Sequence, residues 1–473
     1  MQRKVRETCG FTNVTNVCGG IQLKRQKNRK HQNSIRLCGC ILIAAFFIVL
    51  LSGKLPEAAR RGQVRESDRQ EQTDNNTDEK DTSKKQTDNP KIAKKNPKIR
   101  VLLMTTGYTR AFHTEVKVSG KEGLILRIGT KKVSVPAGKT VTIKASDRRL
   151  KKHTIKIRAK KGTIQVKSIR RGYGTPSYSG TLELEPAGKK IALINELTVE
   201  DYLCAVVPSE MPVSYKLEAL KAQAVCARSY AYRQMENYAY PKYRAHVNDS
   251  TDYQVYGNSQ QADSSVKAVR QTAGETVKYK GKIATTYYYS TSSGRTTTTA
   301  AWGSTSSAAT GYLKSVRVSG KNGDYEKNLP WYRWTVDVTA ARLSTILYTN
   351  TGKDVGSIRG IYIAKRGPGK VALELKVRGS KGNLTVKTEN KIRSALAGDY
   401  NIRKQDGSKV KFRTLLPSAF ITITKKKSQI HIRGGGFGHG IGMSQTGANE
   451  MAKQGKTYKE ILKLFYSGIM VEN

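Results

Sequence analysis

The chain has 473 residues, 37% of them hydrophobic, and 85 Lys and Arg against 36 Asp and Glu give a formal net charge of +49. That length allows two or three domains with a real core. The charge suits polyanionic partners such as nucleic acid, anionic lipid or an anionic wall polymer, although lysines spread over the whole chain also describe a solvated surface. Six cysteines (Cys9, Cys18, Cys38, Cys40, Cys204 and Cys226) are too few for a disulfide scaffold, and Cys204 and Cys226 fall in helical patterns that suit small buried thiols.

Residues 1–36 are polar and basic, a cytoplasmic tail on this reading. Residues 37–53 contain no charged residue and are long enough for a transmembrane anchor. Basic residues before that run orient the tail inside and the bulk of the chain outside, in a single-pass membrane protein. The long preceding region favours an uncleaved anchor over a cleaved signal peptide. Residues 54–99 carry almost no large apolar residue and read as a disordered linker. A folded extracytoplasmic portion is expected over 100–473.

Within it, residues 110–190 form a strand-rich basic portion. "LILRIG", "KKVSVPAG", "KTVTIKAS", "HTIKIRAK" and "GTIQVKS" alternate apolar with polar or basic residues between turn signals. The period changes at Thr198, which with Asp201 three residues on opens a helix. Residues 214–238 make the clearest helix, with Leu217, Leu220, Ala224, Ala227, Ala231 and Met235 along one apolar face. Residues 277–430 return mostly to strand, with a helix near Ala340–Leu347. A glycine-rich stretch at 433–442 precedes one helix from Ser444 and another opened by Thr457 and Glu460. The expected fold class is α+β: helices around a groove, plus a strand-rich inserted subdomain, after one N-terminal transmembrane helix.

Glu210 lies between Pro208 and Pro212, beside Val206, Val207 and Met211. Apolar neighbours disfavour a charged carboxylate, and a carboxyl kept protonated near neutral pH can donate a proton. The plainer alternative is a Glu drawn to the N-terminal dipole of the following helix. Arg228 shares a helix row with Leu217, Lys221 and Ala224, where a guanidinium needs a partner such as Glu210, a ligand, or a route to the surface. "GGGFGHGIGMSQTGA" lacks the GKS or GKT ending of a phosphate loop, and its His439 reads as structural or as an acid–base group. "YYYSTSSGRTTTTAAW" supplies hydroxyls and aromatic rings.

Taken in order, "PSEMP", "LKAQAVCARSYA", "QVYG", "YYYSTSSGRT" and "GFGHGIGMSQTGANEMAKQGKTYKEILKLFYSG" resemble the stage II sporulation protein D / LytB family across roughly residues 190–473. The resemblance implies a catalytic core over 191–473 with peptidoglycan lytic transglycosylase activity. The substrate would be glycan strands stripped of stem peptides. It implies a membrane anchor and a role in sporulation and engulfment. It also implies a partner amidase/endopeptidase like stage II sporulation protein P. The family's catalytic Glu falls on Glu210 and its helix Arg on Arg228. Further groove positions fall on Gln223, Ser229, Tyr232, Gln254, Ser292, Ser293, Gly294, His439 and Gln445. A rival reading is a non-catalytic wall-binding activator of an N-acetylmuramoyl-L-alanine amidase.

Two departures stand out. Some relatives carry cysteines near "QVY" that hold a metal; here "HVNDSTDYQVY" has none, so a soft-ligand zinc site is not supported. His246 with Asp249 or Asp252 offers only weak metal ligation, and neither metal nor cofactor is expected. "SSGRT" stands where many relatives have two glycines. No nucleic-acid motif occurs, and the expected topology puts the basic portion outside the cytoplasm, so nucleic acid is not an expected partner.

Overall fold

The structure, a computed structural model, describes residues 96–304 and 307–473. The expected tail, the anchor at 37–53 and the linker as far as residue 95 lie outside the described residues. Of the linker, only residues 96–99 are described, and Lys98 already opens a strand, Lys98–Leu102. Among the described residues no helix is long and apolar enough to cross a membrane. Eight α-helices occur there: α1 (Arg148–Lys152), α2 (Val199–Glu210), α3 (Leu217–Gln234), α4 (Asp263–Gln271), α5 (Ala340–Thr351), α6 (Glu389–Ala395), α7 (Gln445–Lys453) and α8 (Tyr458–Phe465). With seven sheets beside them the class is α+β.

The alternating segments form strands, as their period of two requires. A seven-stranded sheet runs in the order Val247–Asn248, Lys98–Leu102, Lys190–Thr198, Thr181–Ala187, Ile155–Ala159, Leu124–Ile128, Lys131–Val135. Its pairs are antiparallel except for Lys98–Leu102 with Val247–Asn248. A four-stranded sheet joins Val141–Lys144, Glu115–Gly120, Ile164–Val166 and Ser177–Tyr178. Val116, Val118, Leu124, Leu126, Ile155, Ile157 and Ile164 from the two sheets share one core. The basic portion is thus inserted between two strands, Lys98–Leu102 and Lys190–Thr198, that lie side by side.

Lys190–Thr198 runs straight into α2. Thr198 Oγ1 accepts from Asp201 N–H at 3.3 Å, so the cap read from sequence forms and the sheet fixes where α2 starts. α3 departs from the one-sided pattern expected of it. Ala219, Ala222, Val225 and Cys226 are buried along with the expected face, because small residues let α2, α4, α7 and α8 approach from several sides. Cys226 and Cys204 are free thiols, and Cys226 Sγ lies 3.3 Å from Tyr466 Oη.

The helix near Ala340 is α5, capped by Thr339. The seven-residue α6 was not foreseen; no side chain caps its start. A five-stranded sheet runs Lys409–Phe412, Tyr400–Lys404, Trp334–Thr339, Gln429–Gly434, Ile421–Lys426. Its strand Gln429–Gly434 feeds the glycine stretch. There Gly436, Gly438, Gly440 and Gly442 all take positive φ (75°, 114°, 81° and 74°), a conformation costly to residues with a Cβ. The alternation of glycine with Phe437, His439 and Ile441 is thus a backbone requirement. The two residues Tyr288–Tyr289 then pair in parallel with Met443–Ser444. That contact docks the hydroxyl-rich segment against the start of α7.

One ion pair binds the strand-rich portion to the helical part. Arg171 Nη2 and Asp249 Oδ2 are 2.5 Å apart with both side chains fully buried. The same Nη2 donates to Met104 O at 2.7 Å, and Asp249 Oδ1 accepts from Met104 N–H at 2.9 Å. Replacing Arg171 by Met strands a buried carboxylate, and a loss of about 3–5 kcal/mol of unfolding free energy is expected, measured by urea denaturation with circular dichroism.

Candidate active site

Glu210 is the last residue of α2, not the first turn of α3. Pro208 lies inside the final turn of α2, and Met211 N–H closes that turn on Val207 O at 2.9 Å. The residue is half-buried. Its Oε1 accepts the main-chain N–H of Val255 at 2.6 Å, and the Tyr288 hydroxyl donates to the same carboxyl group. Burial pushes the carboxyl up to about 7, against the pull of those two donors toward the ionised form. Its place at a helix C-terminus, the negative end of the dipole, acts in the same direction as burial.

The donors are themselves held. Tyr202 Oη donates to Gln254 Oε1 at 3.3 Å, and Gln254 Nε2 donates to Tyr288 Oη at 3.1 Å and to Ala227 O at 3.3 Å. A relay thus runs from Tyr202 through Gln254 and Tyr288 to the Glu210 carboxyl. Ser209 Oγ, one residue before Glu210, accepts from the N–H groups of Asn258 and Ser259 at 3.0 and 3.2 Å. From the far end of the chain, Gln445 Nε2 donates to Glu210 O at 3.0 Å and to Gln223 Oε1 at 3.3 Å.

Of the residues expected at the site, Glu210, Gln223, Gln254 and Gln445 therefore come together, although all three glutamines are buried and position rather than line. His439 joins through Tyr288: its Nδ1 accepts from Ile441 N–H at 3.1 Å, and its ring bonds the main chain of Tyr288. Burial pushes it down to about 4, so it is neutral at neutral pH and presents a ring face, with Trp302 and Tyr289 centroids 5.2 and 5.6 Å away. Ser292, Ser293 and Gly294 form a turn against α7. Ser292 Oγ accepts from Gly294 N–H at 2.8 Å, Gly294 takes φ 101°, and Ser293 O accepts from Arg333 at 3.0 Å.

Other expected positions lie away from the Glu210 carboxyl. Arg228 is fully buried and does not meet Glu210. Its guanidinium makes a two-pronged pair with Glu200 at 2.7 and 2.8 Å and donates to Val269 O, Glu275 O and Thr272 Oγ1, which uses every N–H it has. It ties α3 to α2 and to the end of α4. Ser229 Oγ donates to Val225 O and accepts from Val277 N–H. Tyr232 is buried on the Glu200–Arg228 side. Asp249 is paired with Arg171, with both side chains fully buried. His246 Nδ1 accepts Arg100 N–H at 3.0 Å, and among the described residues no three His, Cys, Asp or Glu stand together as metal ligands.

Sequence reasoning missed two residues. Tyr288 lay in a stretch noted only for its hydroxyls. Glu326, in the polar run "GDYEKNLP", carried no signal at all, yet it is fully buried. Its Oε1 accepts from Ser292 N–H at 2.8 Å, from Ser444 Oγ at 2.7 Å and from Thr446 Oγ1. Burial pushes this carboxyl up to about 7 too. It locks the 292–294 turn to the two hydroxyls that flank Gln445.

A family model described as "Stage II sporulation protein" matches residues 187–279, and a domain of unknown function (DUF8618) matches residues 305–442. The chain is 32% identical over 299 residues to an uncharacterized protein of Brachyspira hyodysenteriae, covering 62% of this chain and 71% of that protein. It is 31% identical over 292 residues to the amidase enhancer of Bacillus subtilis, covering 56% of this chain but only 39% of that longer protein. It is 30% identical over 294 residues to the stage II sporulation protein D of Bacillus amyloliquefaciens, covering 58% and 74%.

The raised Glu210 pKa has a thermodynamic signature. Below pH 4.5 both folded and unfolded forms hold the proton; between 4.5 and about 7 the unfolded chain releases it while the folded chain keeps it. Stability therefore falls with rising pH over that window, by up to roughly 3 kcal/mol from this group. Glu210→Gln removes the dependence, so its stability advantage over the parent should grow between pH 5 and pH 8 in parallel urea titrations. With the motifs in order, the site assembled around Glu210 and a stage II sporulation protein D matched over 74% of its length, the chain belongs to the stage II sporulation protein D family.

Proposed function

We propose that the protein is a peptidoglycan lytic transglycosylase that cuts between N-acetylmuramic acid and N-acetylglucosamine with Glu210 as its single acid and base. The observation that carries this is a half-buried carboxyl group pushed up to about 7 and aimed by two donors. Near neutral pH such a group is present in both forms. Protonated, Glu210 gives its proton to the glycosidic oxygen as the bond to muramic C1 breaks. Ionised, it takes the proton of the muramic C6 hydroxyl as O6 bonds to C1. The products are a 1,6-anhydro end and a free 4-hydroxyl; no water is consumed and Glu210 ends protonated. Ordinary glycosidases divide these tasks between two carboxylates. Fully buried Asp249, paired with Arg171, fits the one-carboxyl scheme.

On this reading the substrate is a glycan strand stripped of stem peptides, which a partner amidase/endopeptidase would supply during sporulation. The uncharged run at 37–53 holds the protein to the membrane with the folded part outside the cytoplasm. The basic strand faces suit anionic wall polymers. A second reading, a non-catalytic activator of an amidase, is favoured by the name of the amidase enhancer relative. It would keep the groove without needing a proton donor.

Incubating the purified protein with amidase-treated glycan strands should give 1,6-anhydro ends detectable by mass spectrometry, and Glu210→Gln should give none while keeping its circular dichroism spectrum. Anhydro ends from the Gln variant would remove Glu210 from the mechanism; none from the parent, with amidase stimulation intact, would favour the activator. The acid step needs the protonated form, so kcat/KM should fall about tenfold per pH unit above about 7. Tyr288→Phe removes a donor that favours the carboxylate, and the alkaline limb should move to higher pH by up to about one unit in the same assay.

A further inference from the structure

Tyr108 belongs to the loop after the strand Lys98–Leu102, far in sequence from the motifs that mark the site and outside both matched segments. It has φ 56°, a left-handed conformation that a bulky residue adopts only when its surroundings compel it; Gly107 beside it has φ 69°. The compulsion is visible. The Arg171 guanidinium lies 4.4 Å above the centre of the Tyr108 ring, and Arg171 is fixed by the fully buried Asp249. Arg170 N–H donates to Thr106 Oγ1 at 3.1 Å, which ties the loop from the other side.

The ring is therefore rigidly aimed, and its hydroxyl keeps lone pairs free to accept. The Tyr108 hydroxyl donates to Asn258 Oδ1 at 3.4 Å, and that oxygen also accepts Gly172 N–H at 2.8 Å. Asn258 in turn donates its main-chain N–H to Ser209, the neighbour of Glu210. Loops 105–110 and 170–174 from the strand-rich portion thus meet segment 254–259 beside the catalytic candidate. Burial first, then the charge of Asp249 and, more weakly, that of Glu210, keep the half-buried Tyr108 hydroxyl protonated.

We propose that Tyr108 is a substrate-contacting residue beside Glu210, its hydroxyl oxygen accepting from an N–H or O–H of an N-acetylhexosamine unit next to the cleaved bond. The inference rests on the glycan reading of the site. It gives the inserted strand-rich portion a part in substrate binding. A side chain whose orientation is set before binding loses little entropy on making one more hydrogen bond, and the local strain is offset by the buried Arg171–Asp249 pair.

The test uses binding, so that it does not depend on turnover. Glu210→Gln protein is titrated with amidase-treated glycan strands of defined length, alongside Glu210→Gln with Tyr108→Phe, which keeps the ring and its contact with Arg171. One hydrogen bond predicts an affinity loss of about 3- to 10-fold in the double variant with an unchanged melting temperature. In the otherwise unaltered protein, Tyr108→Phe should raise KM by a similar factor without moving the alkaline limb of the pH profile. Equal affinities within twofold would overturn the role of Tyr108 while leaving the glycan reading intact. Failure of the Glu210→Gln protein to bind strands at all would overturn both. Equal affinities alongside a lowered melting temperature would mark Tyr108 as structural and also overturn the proposal.

Discussion

The hydrogen bond from Val255 N–H to Glu210 Oε1 is the contact on which the site turns. A carboxyl at the end of a helix, shielded from water, is otherwise free to swing out and recover its hydration. A main-chain donor cannot be removed by changing a side chain, and here it is fixed twice, because Ser209 Oγ anchors the same segment at Asn258 and Ser259. The rest of the fold brings these two strips together. The seven-stranded sheet sets the start of α2, twelve residues of helix carry Glu210 to its place, and Gln445 holds its carbonyl from the opposite side.

This arrangement is not the one of greatest stability. Two carboxyl groups, Glu210 and Glu326, are both pushed up to about 7 by burial. Glu326 Oε2 and Gln223 Nε2 are buried without a hydrogen-bond partner. Such groups cost free energy wherever they occur, and here they lie at the site or directly behind it. Stability is recovered elsewhere: in the continuous apolar core and in the saturated Arg228 cluster. Two buried acids raised toward neutrality beside one site fit the usual trade between stability and a poised functional group.

Much of the scaffold was legible in the sequence because it is local. Alternation over five or six residues gave Leu124–Ile128 and its neighbours, and Thr198 and Thr457 marked helix starts through caps that form as read. What was not legible depends on partners far away along the chain. Arg228 looked like a groove residue because nothing nearby announced that Glu200, 28 residues earlier, would take it. Glu326 sits in a run resembling an exposed turn and is buried only because Ser292 and the start of α7 close over it. The resemblance identified Glu210, whereas its partners Val255 and Tyr288 emerge only from the fold.

The parallel pairing of Tyr288–Tyr289 with Met443–Ser444 spans more than 150 residues of intervening chain. Hairpins such as Leu124–Ile128 with Lys131–Val135 need only neighbouring chain to form. Glu210 is made before half of the chain exists, but the residue that holds its carbonyl is Gln445, and the segment presenting Tyr288 is pinned by residues 443 and 444. About half of the chain is therefore made after Glu210 and before the residues that complete its surroundings. The contacts that aim Glu210 cannot close until the glycine stretch and the helix after it are present, wherever the chain folds.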